Sequence, residues 1–288
     1  MAGKGVGKVQ KLARDDKPRG AWKFIIIVSV FSLLIVIPYT WLVVEAFTDQ
    51  QDAFTLGNWP FFYEETIIKN GDVLPMIWAP LGNSFLFAAM MSVFVTCVTT
   101  PAAYALSRTS FKGRRFVTRM MIILDAFPTV ALLTSFIFLT DFLGLVNKLM
   151  GVVLIRVAMY LPGSVWLMKG FFDNVSWDIE WAGIVDGASR FKTFLKIIVP
   201  SIKPGVAVIL VNSFLSGWGE YILINLLIYE GVPTMSAFIG RMLSTEGSAT
   251  LPKGIMAAAC LCYVIPIIIV FIFAQKSLLN VSQGGSKQ

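Results

Sequence analysis

Residues 176–204 read SWDIEWAGIVDGASRFKTFLKIIVPSIKP, and the reading of this segment decides how the rest of the chain is understood. It is too long for a simple turn and too patterned for a linker. Ser176 and Asp178 offer helix caps, Gly187 interrupts the run, and Pro200 with Pro204 ends it. In the second half Phe191, Phe194, Leu195 and Ile198 recur at helical spacing, while Arg190, Lys192 and Lys196 take other positions. A helix with one apolar and one basic face suits anionic lipid or a partner protein, and the pattern alone divides evenly between the two.

The sequence on either side of this segment belongs in lipid. The chain of 288 residues is 56% hydrophobic with a mean hydropathy of +0.74, more apolar surface than a soluble core of that size can cover. Six stretches match the roughly 30 Å hydrocarbon thickness at about 1.5 Å per residue. They run over residues 24–47, 81–106, 120–140, 149–167, 206–229 and 254–274. Backbone exposed to lipid must satisfy its own hydrogen bonds, so stretches of this length read as helices and not as the shorter alternating strands of a barrel. The predicted fold class is therefore an all-α polytopic membrane protein with six transmembrane helices. A transmembrane domain spans 24–274, with polar tails at 1–23 and 275–288.

The formal net charge of +7 invites a nucleic-acid reading, but its distribution argues against one. Lys and Arg concentrate in the N-terminal tail, in the 108–119 loop, in the 169–203 loop and, with Lys276 and Lys287, in the C-terminal tail. The alternate loops hold only Lys69, Lys148, Arg241 and Lys253. Basic residues favour the cytoplasmic side, which places both termini in the cytoplasm and the protein in the inner membrane, with the lipid bilayer and not nucleic acid as its surroundings. The first apolar stretch follows a charged tail without a short apolar region and small-residue cleavage site, so it is expected to remain as an anchor. On the outer side, 49–80 is the one sizeable loop. Its Trp59, Phe61, Phe62 and Tyr63 suit the membrane interface.

Several chemistries are excluded by residue type. There is no histidine, which removes histidine proton relays, histidine-based triads and the common zinc sites; no metal or other cofactor is expected on this chain. Cys97, Cys260 and Cys262 all fall in apolar stretches and read as small packing residues. The Gly3–Lys8 cluster lacks the spacing and hydroxyl of a phosphate-binding loop. No nucleophile with its base emerges, so the chain does not read as an enzyme. A stand-alone ion-driven transporter is the competing class, but no internal repeat supports it.

Ionisable residues inside apolar stretches are costly and each needs a partner or an aqueous surface. Glu220 lies mid-stretch near Ser216, Trp218 and Tyr221, with Asn212 and Ser213 one to two turns earlier. Carboxylate, hydroxyls and aromatic faces suit a sugar, and equally suit helix-to-helix hydrogen bonds. Asp125 and Arg156 invite a salt bridge, but their depths, counted from opposite ends of their helices, differ by on the order of 10 Å, which predicts separate partners. Pro101 and Pro128 predict bends.

The loop carries a spaced pattern that resembles a known family. ABC importer permeases show Glu-Ala-Ala, three residues, Gly, nine residues, Ile, one residue, Leu-Pro before their penultimate span. Here Trp181-Ala182-Gly183, Gly187, Ile197, Val199 and Pro200 stand at that spacing. Further matches are Asn83-Ser84, Ala103 to Arg108, Gly144 to Asn147, Phe171-Phe172, Lys203-Pro204-Gly205 and Gly284 to Lys287, in the order found in the maltose-type carbohydrate permeases. Trp181 departs from the motif's glutamate, although Glu180 keeps an acid beside it, and Trp218-Gly219-Glu220-Tyr221 departs from the usual Trp-Asn-Glu-Phe.

The resemblance implies a type I importer permease fold and a subunit that translocates a sugar or oligosaccharide. It implies a second related permease, two ATPase subunits holding ATP and Mg, and an extracytoplasmic sugar-binding protein. Another solute, such as a polyamine or phosphate, is the alternative within the superfamily. By this resemblance 176–200 holds a coupling helix seated on the ATPase, through Glu180, Trp181, Ala182, Gly183, Asp186, Gly187, Ala188, Arg190, Phe191, Phe194 and Pro200. The small residues would let the partner approach, and Phe191 and Phe194 would anchor it. Trp181 implies a co-adapted partner pocket, or a ring packed on the permease itself. Asn212, Ser213, Ser216, Trp218, Glu220 and Tyr221 are the candidates for the substrate pathway.

Overall fold

The computed structural model describes residues 21–49, 51, 53–67, 73–230, 234–243 and 252–284. Residues 1–20 of the expected N-terminal tail lie outside these, as do Asp52, Lys69, Asp72 and the Gly285-Ser286-Lys287 match. Among the described residues four helices are long and apolar enough to cross a membrane, and two bent pairs bring the number to six when each pair counts as one crossing.

Helix α1 (Ala21–Ala46) presents apolar side chains all round and packs along the last helix. Helix α2 (Trp78–Arg108) is the centre of the bundle, lying against both α5 (Leu149–Asp173) and α9 (Lys203–Trp218). Phe87, Met91 and Val95 of α2, Val152, Val153, Val165 and Met168 of α5 and Ile209 of α9 form the main buried core. Ser92 donates to the carbonyl of Leu210 at 2.8 Å, a helix-to-helix hydrogen bond of the kind expected where lipid gives no hydrophobic drive between helices.

Two expected spans are interrupted. Over 120–140 the chain forms α3 (Arg114–Asp125), then a 3-10 turn (Thr129–Leu132) leading into α4 (Leu133–Phe142), and the two arms bend by 92°. The cause is local. Pro128 is extended at φ −69°, ψ 117°, has no N–H to donate, and steers the residue before it away from helix. Over 206–229, α9 stops at Trp218, the chain opens at Gly219 to Tyr221, and α10 (Ile222–Leu227) adds only six residues. Preceding α9, the segment 190–201 meets it at 77°, with the bend at Ile202 and Pro204 in the first turn of α9.

On the other side, the segment between α1 and α2 folds on itself through a 3-10 turn (Pro60–Phe62) and a short antiparallel pair, β1 (Thr66–Ile67) with β2 (Val73–Leu74). Helices α11 (Met235–Leu243) and α12 (Lys253–Gly284) cover it. Here Phe61 does not take the interfacial position expected for it: it is fully buried, edge-on to Phe238, in a second core with Leu74, Ile77 and Ala258. Tyr63 of the same group remains exposed. Asn147, left-handed at φ 60°, accepts from the backbone N–H groups of Tyr229 and Glu230 and so fastens the turn after α4 to the end of α10.

Candidate functional site

The 176–201 loop is a pair of short helices closed by one glycine. Helix α6 (Trp177–Val185) starts at Ser176, whose hydroxyl accepts from the N–H of Asp178 at 3.2 Å. It ends at Gly187, left-handed at φ +86°. There the N–H of Ala188 reaches the carbonyl of Gly183 and the N–H of Gly187 that of Ile184, both at 3.0 Å, a Schellman closure. Ser189 then caps α7 (Arg190–Thr193), which runs through a widened π turn (Phe194–Ile198) into a last short turn, α8 (Val199–Ser201). Pro200, which brings no N–H, follows the widened turn.

Three residues assigned to the partner face inward instead. Gly183 lies against the second half of the loop: a Cβ there would sit 2.5 Å from Cδ1 of Ile197 and 3.3 Å from Cγ2 of Thr193, so its smallness serves packing inside the loop. Phe194 is buried between Tyr104 (4.7 Å between ring centroids) and Phe172 (6.5 Å), and so is no anchor for another subunit. Glu180 is only 6% exposed. Tyr104 donates to its Oε1 at 2.6 Å and Arg108 faces its Oε2 at 3.4 Å. The physical reason is that the loop packs on itself at Gly183 and folds back onto the ends of α2 and α5 at Phe194 and Glu180, which consumes the faces pointing those ways.

Arg108 is the hub of this contact. Its guanidinium donates to the carbonyls of Phe172 (2.8 Å) and Val175 (2.6 Å) and lies 4.5 Å from the ring centroid of Trp177. One residue earlier, Ser107 donates to Asp173, which pairs with Lys169, and Arg114 reaches back to the carbonyl of Ser107. The last turn of α2, the last turn of α5 and the first turn of α6 are thereby tied through charged and hydroxyl groups. Sequence reasoning listed Ala103 to Arg108 only as a motif match and missed that Tyr104 and Arg108 bind Glu180. The available signal was an arginine and an acid both bordering apolar spans.

The outward side holds Trp181 (53% exposed), Val185 (83%) and Phe191 (71%), with Ala182, Asp186, Gly187, Arg190, Lys192 and Pro200 also exposed and Ala188 half-buried. A cavity of about 280 Å³ opens beside Trp181, lined by Arg108, Trp177, Glu180, Ile184 and Arg190 among others.

The second group of candidates separates in the same way. Ser213 is fully buried and donates to the carbonyl of Ile209 in its own helix. Trp218 is buried between Phe214 and Tyr263 with its Nε1 on the Tyr263 carbonyl. Trp218 thus packs α9 against α12, and Ser213 is turned back onto its own helix. Asn212 is exposed, and Tyr221 lies over Gly240. Ser216 and Glu220 are brought together by Arg156 of α5, which was not among the candidates. Its Nη2 donates to the Ser216 hydroxyl and its Nε forms an ion pair with Glu220, both at 2.8 Å. Glu220 also accepts the N–H of Leu223, in the first turn of α10. Asp125 has no part in this pair; it lies against Gly163.

A bundle with crossings enough for a bilayer and a polar-braced loop between two of them define a polytopic membrane protein. Residues 99–279 match the family of binding-protein-dependent transport system inner membrane components. The chain belongs to that family. It is 28% identical over 265 residues to the maltodextrin transport system permease protein MdxG of Bacillus subtilis, covering 91% of this chain and 92% of that one. It is 31% identical over 221 residues to the maltose/maltodextrin permease protein MalG of Vibrio vulnificus, covering 75% and 73%. In a solved bacterial ABC transporter involved in import of the acidic polysaccharide alginate, one chain superimposes with a TM-score of 0.67 at 15% identity, over 94% of this chain and 99% of that one.

Proposed function

We propose that this chain is the translocation subunit of an ATP-driven importer for a sugar or oligosaccharide, with the 176–201 loop as the contact through which ATP hydrolysis is felt. It works beside a second related permease, on two ATPase subunits that hold ATP and Mg, and receives its substrate from an extracytoplasmic binding protein. Both termini lie in the cytoplasm, on the side of the basic loops. The names of its relatives support the sugar class. The observation that carries the coupling role is the loop itself: a capped, glycine-closed pair of helices locked onto the ends of α2 and α5 by Arg108 and Glu180, yet offering Trp181, Val185 and Phe191 to solvent.

A rigid lever with an apolar outer face transmits the movement of whatever seats on that face. Copurification in mild detergent tests the reading. An ATPase retained by the wild-type chain and lost on Phe191→Asp, together with uptake of labelled sugar into vesicles that stops when ATP is depleted, is the expected result. Uptake that continues without ATP, or an ATPase held equally by the variant, overturns it.

A further inference from the structure

The break between α3 and α4 leaves an exposed carboxylate beside the middle of α5. Asp125 is the last residue of α3 and its side chain lies against Gly163 of α5. Gly163 stands about 21 Å from the Leu149 end of α5 and about 15 Å from the Asp173 end at 1.5 Å per residue, so the contact is central whichever end faces outward. A Cβ on Gly163 would overlap the Asp125 carboxylate, so the carboxylate occupies space that only glycine leaves free. Among the described residues the Asp125 side chain has neither an ion-pair partner nor a hydrogen bond, although Tyr160 is within electrostatic reach.

An ionised group at that depth is costly and needs a partner from outside the chain or an aqueous path. A cavity of about 120 Å³ opens at the spot, lined by Met121, Ile122, Asp125, Gly163 and Trp166, with Trp166 53% exposed. That volume accommodates several water-sized groups. A carboxylate oxygen beside an open indole face is a combination suited to a polyol: the carboxylate accepts from hydroxyls while the ring stacks on C–H faces. The notch also continues a polar line. Arg156, Tyr160 and Gly163 recur at four and three residues and share one face of α5, so Asp125 extends the Arg156–Glu220–Ser216 cluster along the helix.

We infer that the Asp125–Gly163–Trp166 notch is a sugar-binding subsite carried by this subunit, in which Asp125 accepts hydrogen bonds from substrate hydroxyls and Trp166 packs against the sugar ring. This rests on the sugar-importer reading above.

The test uses the complete importer, detergent-solubilised without its binding protein for binding and reconstituted in vesicles with that protein for uptake, and radiolabelled trehalose, maltodextrin and galacto-oligosaccharide as probes. Wild type binds at least one of them. Asp125→Asn, Gly163→Ala and Trp166→Ala each weaken that binding about tenfold, the loss expected for one charge-assisted hydrogen bond or its equivalent. Asp125→Glu weakens it less than Asp125→Asn. The variants copurify with the second permease in wild-type amount, which separates the effect from misfolding. Unchanged binding in Asp125→Asn and Trp166→Ala, with wild type transporting sugar, refutes the subsite alone. Loss of the second permease from Asp125→Asn also refutes it and makes Asp125 a subunit contact. A wild-type importer that neither binds nor takes up any of the three sugars refutes the sugar reading and the subsite together.

Discussion

Replacing Arg108 with methionine removes the hub of the loop contact while keeping most of its volume. Glu180, 6% exposed, is left with the Tyr104 hydroxyl alone, and the carbonyls of Phe172 and Val175 lose the guanidinium N–H groups. Breaking a buried pair by deleting one partner costs about 3–5 kcal/mol. Because α6 is held to α2 mainly through this cluster, the cost falls on local opening of the loop and not on the whole bundle. At 1.4 kcal/mol per tenfold, the lower figure corresponds to amide exchange faster by about two orders of magnitude in peptides covering 176–190. Hydrogen–deuterium exchange with mass spectrometry on the reconstituted importer reads this directly, with peptides of α1 as an internal reference. The double variant Arg108→Met/Glu180→Leu removes both charges, and its exchange should return most of the way to wild type. Exchange in Arg108→Met within threefold of wild type, or a double variant opening faster than either single one, would refute the reasoning that a buried ion pair fixes the loop.

Gly183→Ala places a methyl group against Ile197 and should destabilise the loop by about 1–3 kcal/mol, seen in the same exchange assay, and Ile197→Val should restore most of the loss. Gly187→Val forces a β-branched residue to φ +86° at a cost of at least about 1–2 kcal/mol; sugar-stimulated ATP hydrolysis should fall sharply, while Gly187→Asn retains much of it. Arg156→Met leaves Glu220 buried without its cation, so the thermal midpoint of the purified importer should drop by more than in Arg156→Lys.

The loop's own outline was legible because its signals are local. Ser176 caps the next turn, Gly187 takes the one backbone conformation that other residues resist, and Pro204 starts a helix without needing a donor. Which side of the outline faces a partner was not legible. Phe191 and Phe194 have the same chemistry and the same periodic standing; only Tyr104 and Phe172, far away in sequence, decide that Phe194 is covered and Phe191 is not. Glu180 stands among the residues assigned to the ATPase until Arg108, 72 positions earlier, is brought beside it. Pro128 announced a bend, but the 92° between its arms depends on how α3 and α4 seat on α5 and α10. The ion pair in the membrane was half visible: Arg156 was weighed against Asp125, and the gap in the helix that lets Glu220 turn back to it has no periodic signature.

The placement of α1 bears on how the protein is made. Its main neighbour in the bundle is α12, and more than 200 residues separate Ala46 from Lys253. At about 5–20 residues per second a ribosome needs roughly 10–40 s to cover that distance. Throughout that wait α1 stands in the bilayer without its companion, and its composition is suited to solitude: a mean hydropathy of 2.4 and no buried face that would be left raw. The helix least committed to the bundle is thus the one that can leave the translocon early, and it gains its companion only when synthesis has reached α12.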